Sequence, residues 1–315
     1  MTKTVNEREI VLEILMEVTE NGAYSHRILR DVLTKYQYLD KRERAFITRV
    51  TEGTLEHMIE IDYILDRFSK VKVRKMKPVI RNILRTGVYQ LKYMDTVPDH
   101  AVCSEAVKLA VRKGFSGLKG YVNGVLRSVA RGLDSVEYPT EGMEALSVRY
   151  SCPEWILKLW QQEYEPDVIE AMLQDFQEEK PLTIRCCLNR MTPEELKTRL
   201  EQEGVTVTRH PYLPYAFEIS GYDHLEGLES FREGLFAVQD VSSMLAGEVA
   251  DPQRGAYVID VCAAPGGKAL HIAEKLSGTG HVEARDLTEY KADLIRENID
   301  RYGLENIEAK VQDAS

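Results

Sequence analysis

Apolar residues return every three or four positions through the first 130 residues of this 315-residue chain. Val11, Ile14 and Leu15 form one such set, Phe46, Val50 and Leu55 a second, and Ile61, Ile64, Leu65 and Phe68 a third. That spacing places each set on one face of a helix. Asp40 with Glu43 three residues on has the form of a capping box. Pro78 and Pro98 suit the starts of two more helices. No strand-like alternation intervenes, so residues 1–133 are expected to form an all-α bundle. The period then lapses. Tyr138, Pro139, Glu141 and Gly142 mark a polar, turn-forming stretch, and residues 134–151 read as a linker.

Beyond the linker the pattern changes. Pro153 and Glu154 open a helix whose Trp155, Ile156, Leu159 and Trp160 make an apolar stripe, expected to pack against the next domain. Residues 182–187, 205–208 and 216–219 read as strands. Between the first two, Thr192, Pro193 and Glu195 supply a capping box with proline at the first helical position. The order β-α-β-β predicts a small α+β subdomain over 152–234, ferredoxin-like or RRM-like. Residues 236–245 read as a strand running into a helix, with Asp240 placed to cap it. The apolar run 257–261 suits a parallel strand buried on both faces. A glycine turn follows, then a helix over 269–274. Residues 280–287 and 307–311 supply two more strands, separated by a helix that stops around Asn298 and Gly303. Residues 235–315 thus predict the first half of an α/β Rossmann-like sheet with strands in the order 3-2-1. The first strand would lie at an edge, where an uncovered apolar strand invites association.

Composition adds three points. There is no apolar leader and no run of 18 apolar residues, so neither export nor a membrane span is expected. The five cysteines, at 103, 152, 186, 187 and 262, form no Cys-x-x-Cys pair; no metal site and a reducing cytoplasm are the expectations. The net charge of −10 is unevenly spread. Residues 1–150 hold 25 Lys and Arg against 20 Asp and Glu, and the rest hold 16 against 31. Nine basic residues and no acid fall in 67–94, and six and none in 106–133. Such stripes attract phosphate, so nucleic acid stays open as a partner in spite of the acidic total.

The turn Cys262-Ala263-Ala264-Pro265-Gly266-Gly267-Lys268 carries the candidate chemistry. It is not a P-loop, since Cys262 stands where the first glycine belongs and Ala269 follows the lysine. It lacks the Gly-x-Gly-x-x-Gly spacing of a dinucleotide fold. With Asp260 before it, the turn resembles motif I of the RsmB/NOP family of RNA cytosine-C5 methyltransferases, which implies S-adenosylmethionine as cofactor. An acid ending the second strand can accept from both ribose hydroxyls; Asp286 is placed there, whereas Glu283 lies inside the strand. Asp313, after the third strand, matches the acid that accepts from the adenine amino group in this fold. Lys268 could contact the methionine carboxylate or the base, or simply face solvent.

The resemblance extends upstream. Ala45-Phe46-Ile47, Glu52-Gly53-Thr54-Leu55, the run from Ile83 to Leu91, Glu105-Ala106-Val107 and the run from Tyr121 to Arg127 resemble the RNA-binding NusB fold, the N-terminal domain of bacterial 16S ribosomal RNA methyltransferases of that family. Candidate RNA contacts are Lys72, Arg74, Lys75, Lys77, Arg81, Arg85, Lys113 and Arg127, while Tyr89 and Asn123 are better read as helix packing. The family carries a ferredoxin-like subdomain as well. Its Leu-Arg-Val-Asn strand is matched at Arg185 but not at the following Cys186 and Cys187, which read as strand residues rather than nucleophiles. The implied function is methylation of C5 of a cytosine in 16S ribosomal RNA, position 967 in the family, by a cytoplasmic monomer. The implied reaction needs a cysteine thiolate to add at C6 of the base and a second cysteine to assist elimination. Both belong to segments beyond residue 315, and Cys262 lies in the cofactor loop, so the 315 residues are expected to be inactive alone. The competing expectations are a NusB-like RNA-binding adaptor without catalysis and a small-molecule methyltransferase.

Overall fold

The computed structural model describes residues 6–178 and 180–314. They form two compact units that divide after Glu178. The first is entirely helical among its described residues. Helices α1 (Glu7–Asn21), α2 (Ser25–Lys35), α3 (Lys41–Glu56), α4 (Met58–Phe68), α5 (Pro78–Tyr93), α6 (Asp99–Arg112) and α7 (Lys119–Gly132) build one core. α5 is its axis and buries Ile80, Ile83, Leu84 and Val88 against Ile14 and Leu15 of α1, Ile61 and Leu65 of α4 and Val122 and Leu126 of α7. Val11, Ile14, Leu15, Val50, Ile61, Ile64 and Leu65 from the sequence pattern are all buried, whereas Phe46, Leu55 and Phe68 pack at the margin. Asp40 and Glu43 close the expected capping box on α3. Tyr89 is a packing residue: a Cβ on Gly53 would stand 2.2 Å from its ring, so the ring sits directly on the α3 backbone.

The expected linker is only partly irregular. Within 134–151, residues Gly142–Arg149 form α8, which packs with α9 (Glu154–Trp160) and α10 (Pro166–Gln177) around Leu157, Ile169 and Leu173. α8 has just eight residues and buries the small Ala145 and Ser147 with Val148, so its period is too short and too weak to stand out in sequence. The stripe on α9 is corrected too. Leu157 is its buried residue, while Trp155 and Leu159 are exposed and Trp160 tilts against Phe176 of α10.

The second unit carries two sheets. β1 (Leu182–Cys186), β2 (Thr206–Arg209), β3 (Ala216–Ser220) and β4 (Phe236–Val238) form an antiparallel sheet in the order β2-β3-β1-β4. With α11 (Pro193–Gln202) after β1 and the short α12 (Glu229–Arg232) before β4, this is the βαββαβ ferredoxin-like arrangement. Thr192 and Glu195 form the expected capping box. The strand at 236–238, assigned from sequence to the following half-sheet, belongs here: Ala237 pairs with Arg185. α13 (Val241–Ala250) follows; Asp240 is at its N-cap position, but its side chain makes no capping bond.

The second sheet is parallel, β5 (Tyr257–Asp260), β6 (His281–Asp286) and β7 (Ile307–Val311), in the order β5-β6-β7. α14 (Gly267–Lys275) and α15 (Glu289–Tyr302) cover one face, burying Ala269, Leu270, Ala273 and Ile295 against Val282, Ala284 and Ile307. β5 is the expected edge but is not buried on both faces. Tyr257 and Ile259 are exposed.

Candidate cofactor site and basic surface

β5 ends at Asp260, whose Oδ1 accepts from the N–H of Cys262 and starts the turn. The turn is then tied to its neighbours. The Ala263 N–H donates to the carbonyl of Arg285 at 2.9 Å, and Gly266 N–H closes back on the Ala263 carbonyl at 2.6 Å. Gly266 has φ +110°, a left-handed conformation that favours glycine, and a Cβ there would lie 2.9 Å from Leu270. Gly267 then opens α14, so the unpaired N–H groups of the helix start at the end of the turn. Asn298 of α15 donates to the Pro265 carbonyl at 2.9 Å, which buttresses the turn from behind. Asn298 had read only as part of a helix stop.

Asp286, the last residue of β6, faces this turn. Its Oδ2 accepts from the Ala264 N–H at 2.9 Å, and its Oδ1 from the Leu287 N–H at 2.8 Å and from Lys291 Nζ at 2.9 Å. The Lys291 ammonium and the two backbone donors outweigh burial and hold the carboxyl below its ordinary range, so Asp286 is ionised. Three bonds occupy three of the roughly four acceptor positions of a carboxylate. Were the half-exposed Lys291 displaced, one acceptor position would remain on each oxygen for a diol. The Asp286 carbonyl accepts from Gln312 N–H at 2.9 Å and brings Asp313 to the same end of the sheet. The turn, Asp286 and Asp313 therefore meet beyond the carboxyl ends of parallel strands, where open α/β sheets bind ligands. Glu283 is engaged otherwise: Lys310, Tyr257 and Arg285 bond its carboxylate in mid-sheet and lower it to about 2. The residues present suit an adenosine cofactor: glycines where backbone approaches, an ionised acid at the second strand and a further acid at the third.

Behind α14 lies a polar cluster that single residues did not announce. Arg185 of β1 is 1% exposed and forms an ion pair with Glu274 of α14 while donating to Gln239 Oε1 at 2.8 Å. Glu274 also accepts from the Leu188 N–H. On the same helix, His271 is 3% exposed and lies edge-on to Tyr215. Burial, then the positive charge of Arg185, pushes His271 down to about 3, so the ring is neutral and its approach to Glu248 is no salt bridge. The unfolded chain takes up this proton near pH 6.5 and the folded one does not. The second unit should therefore hold its full stability above pH 6.5 and lose about 2 kcal/mol by pH 5. Glu248, whose carboxyl is held low, adds its own loss only below about 4.5. Urea midpoints at pH 7 and pH 5 measure this, and His271→Gln should flatten the fall; an unchanged fall would clear His271.

The thiols divide cleanly. Cys186 and Cys187 are buried, and burial raises both to about 12, as befits strand residues rather than nucleophiles. Burial raises Cys103 and Cys152 as well. Cys262 is exposed, in the turn.

The basic candidates on the first unit are unequal. Arg85 is corrected: it is buried, with its Nε and Nη2 on the two oxygens of Asp62 at 2.7 and 2.6 Å and Nη1 on Asn82. That fork is a structural pair and cannot meet a phosphate. Arg81 is paired with Glu20, and Lys113 with Glu9 and Glu13. Lys72 lies a loose 3.6 Å from Asp66. Arg74, Lys75, Lys77 and Arg127 are exposed and in no ion pair among the described residues. Three of these four lie in 74–77, around the single 3₁₀ turn Val73–Lys75 that links α4 to α5.

A helical unit with basic stretches, a ferredoxin-like sheet and a parallel half-sheet with a cofactor-type turn make a modular protein whose last part has the form of a nucleotide-binding α/β domain. Family models match the same three parts: the NusB family over 5–131, the ferredoxin-like domain of RsmF/B-like methyltransferases over 152–223, and 16S rRNA methyltransferase RsmB/F over 248–315. The chain is 35% identical over 313 residues to the probable ribosomal RNA small subunit methyltransferase B of Bacillus subtilis, covering 99% of itself and 69% of that protein. It is 28% identical to the protein of the same description from Synechocystis, covering 96% and 68%. The crystal structure of PH0851 shares the fold, with a TM-score of 0.79 at 22% identity, over 100% of this chain and 71% of that one. The chain belongs to the ribosomal RNA small subunit methyltransferase B family. Among the described residues, no helix is long and apolar enough to cross a membrane.

Proposed function

We propose that this chain is the RNA-binding and cofactor-binding portion of an S-adenosylmethionine-dependent methyltransferase that acts on C5 of a cytosine in 16S ribosomal RNA, position 967 by the family resemblance. The observation that carries the reading is the meeting of the 262–268 turn, Asp286 and Asp313 at one end of the parallel sheet, in a chain that also holds a NusB-like unit. In this reading the turn and the start of α14 take the methionine portion, Asp286 the ribose and Asp313 the adenine. The cofactor supplies a sulfonium-bound methyl group, and the chain orients it. In the same reading Lys268, exposed in the first turn of α14, neutralises the methionine carboxylate.

We propose in addition that the 315 residues alone do not transfer methyl groups. Four thiols are raised by burial, and the fifth, Cys262, belongs to the turn that holds the cofactor. The chain incubated with tritiated S-adenosylmethionine and undermodified 16S ribosomal RNA should bind both and incorporate no label above background. Incorporation at cytosine would overturn the second proposal. Failure to bind the cofactor, with RNA still bound, would favour the adaptor reading, which the exposed cations at 74–77 support on their own.

A further inference from the structure

A cleft of about 440 Å³ opens on the first unit between the end of α1, the start of α4 and the chain that enters α5. Val18, Met58 and Val73 give it an apolar side, and Thr19, Arg74, Arg81, Arg85 and Asp62 a polar one, on which the Asp62 carboxylate is taken up by Arg85. A size of this order accommodates one nucleotide-sized group.

The three arginines differ in what they have left to offer. Arg85 is fully used by Asp62 and Asn82. Arg81 gives Nη2 to Glu20, while its Nε is buried with no hydrogen-bond partner. A buried N–H left unmet costs about 1–3 kcal/mol, which is unusual enough to ask what would meet it. Arg74 is exposed and makes no ion pair among the described residues. Lys70, Lys75 and Lys77, also exposed, lie within four residues of it in sequence and add to the positive charge of this stretch. The cleft thus has one free guanidinium, a second with an unmet donor, and an apolar wall suited to a sugar or a base edge. Among small anionic groups, a guanidinium fork suits phosphate.

We propose that this cleft is a subsite for one phosphodiester of single-stranded RNA, held by Arg74 and completed by Arg81, with the adjoining sugar or base against Val18, Met58 and Val73. It rests on the reading of the first unit as RNA-binding and narrows that reading to one place.

The test is fluorescence anisotropy of a short fluorescein-labelled single-stranded RNA on the whole chain over a range of salt. Arg74→Gln should raise Kd about three- to tenfold and lower the salt slope by about one. Lys119→Gln, the same charge change at an exposed site outside the cleft, should do distinctly less. Arg81→Lys keeps a charge for Glu20 but removes the Nε donor, and should weaken RNA binding with an unchanged melting temperature; if it does not fold, Arg74→Gln decides alone. Equal effects of Arg74→Gln and Lys119→Gln would overturn the cleft and leave RNA binding by this unit standing. No RNA binding by the unaltered chain would overturn the broader reading and the cleft with it. Adenosine monophosphate that binds more tightly than the RNA, and loses that binding in Arg74→Gln, would assign the cleft to a free nucleotide and overturn the RNA proposal.

Discussion

Glu274→Ala should destabilise the second unit by about 3–5 kcal/mol. The substitution removes the carboxylate that, among the described residues, is paired with the Arg185 guanidinium, which is 1% exposed, and leaves a positive charge in the interior. It also strips the Leu188 N–H of its acceptor. Gln239 remains on Arg185 Nε but carries no charge to offset. The pair joins β1 to α14, so its loss should be felt in both elements together. Both tryptophans, Trp155 and Trp160, lie in the first unit, so fluorescence would report on the wrong part of the molecule. Hydrogen exchange read by peptide is the suitable measurement. Amides of β1 and α14 should lose protection by on the order of 100-fold or more, with those of α5 unaffected. The double replacement Arg185→Met with Glu274→Leu should recover most of the loss, since it removes both charges and keeps the volume. Equal protection in Glu274→Ala and the unaltered chain would show that water or another group compensates Arg185, and that the pair does not join the two elements.

The same pair shows where reading the chain as a string stops. Arg185 was singled out on a family motif and Glu274 on nothing, because the two stand 89 positions apart and no local pattern links a strand residue to a later helix. Devices that close within a few residues were legible. The capping boxes at Asp40 and Thr192 depend only on an i, i+3 spacing. The order β5-β6-β7 followed from strand-turn-helix units with the usual crossover. Charge stripes were legible as stripes but not as surfaces. Arg85 shares a stripe with Arg74, yet its partner Asp62 lies on another helix, and the pairing turns one of two like residues into core. The break at 134–151 hid α8 because a helix that buries Ala145 and Ser147 has little apolar period to show. Within the candidate site, the position of the turn between β5 and α14 and of Asp286 at the end of β6 was readable from glycine spacing and strand ends. Asn298 and Lys291 were not, since each matters only through a contact made after folding.

Asp286→Ala should weaken S-adenosylhomocysteine binding by about 3 kcal/mol, on the order of 100-fold in Kd, which is what the proposed ribose contact, two hydrogen bonds to a charged acceptor, would contribute. The difficulty in testing this is that Asp286 has a second task. It accepts from the Ala264 N–H and so shapes the turn, and an alanine could weaken binding merely by loosening residues 262–268. The two roles separate on a ligand that lacks one hydroxyl. If Asp286 accepts from the ribose, the unaltered chain should bind the 2′-deoxy analogue roughly tenfold more weakly than the parent, and Asp286→Ala should bind the two alike. If it only shapes the turn, both proteins will prefer the parent by the same factor. Lys291→Ala provides the opposite check. It takes away a competitor for Oδ1 while leaving both backbone donors in place. It should leave calorimetric affinity unchanged or improve it, and a tenfold loss would mean that Lys291, rather than the carboxylate it covers, meets the cofactor.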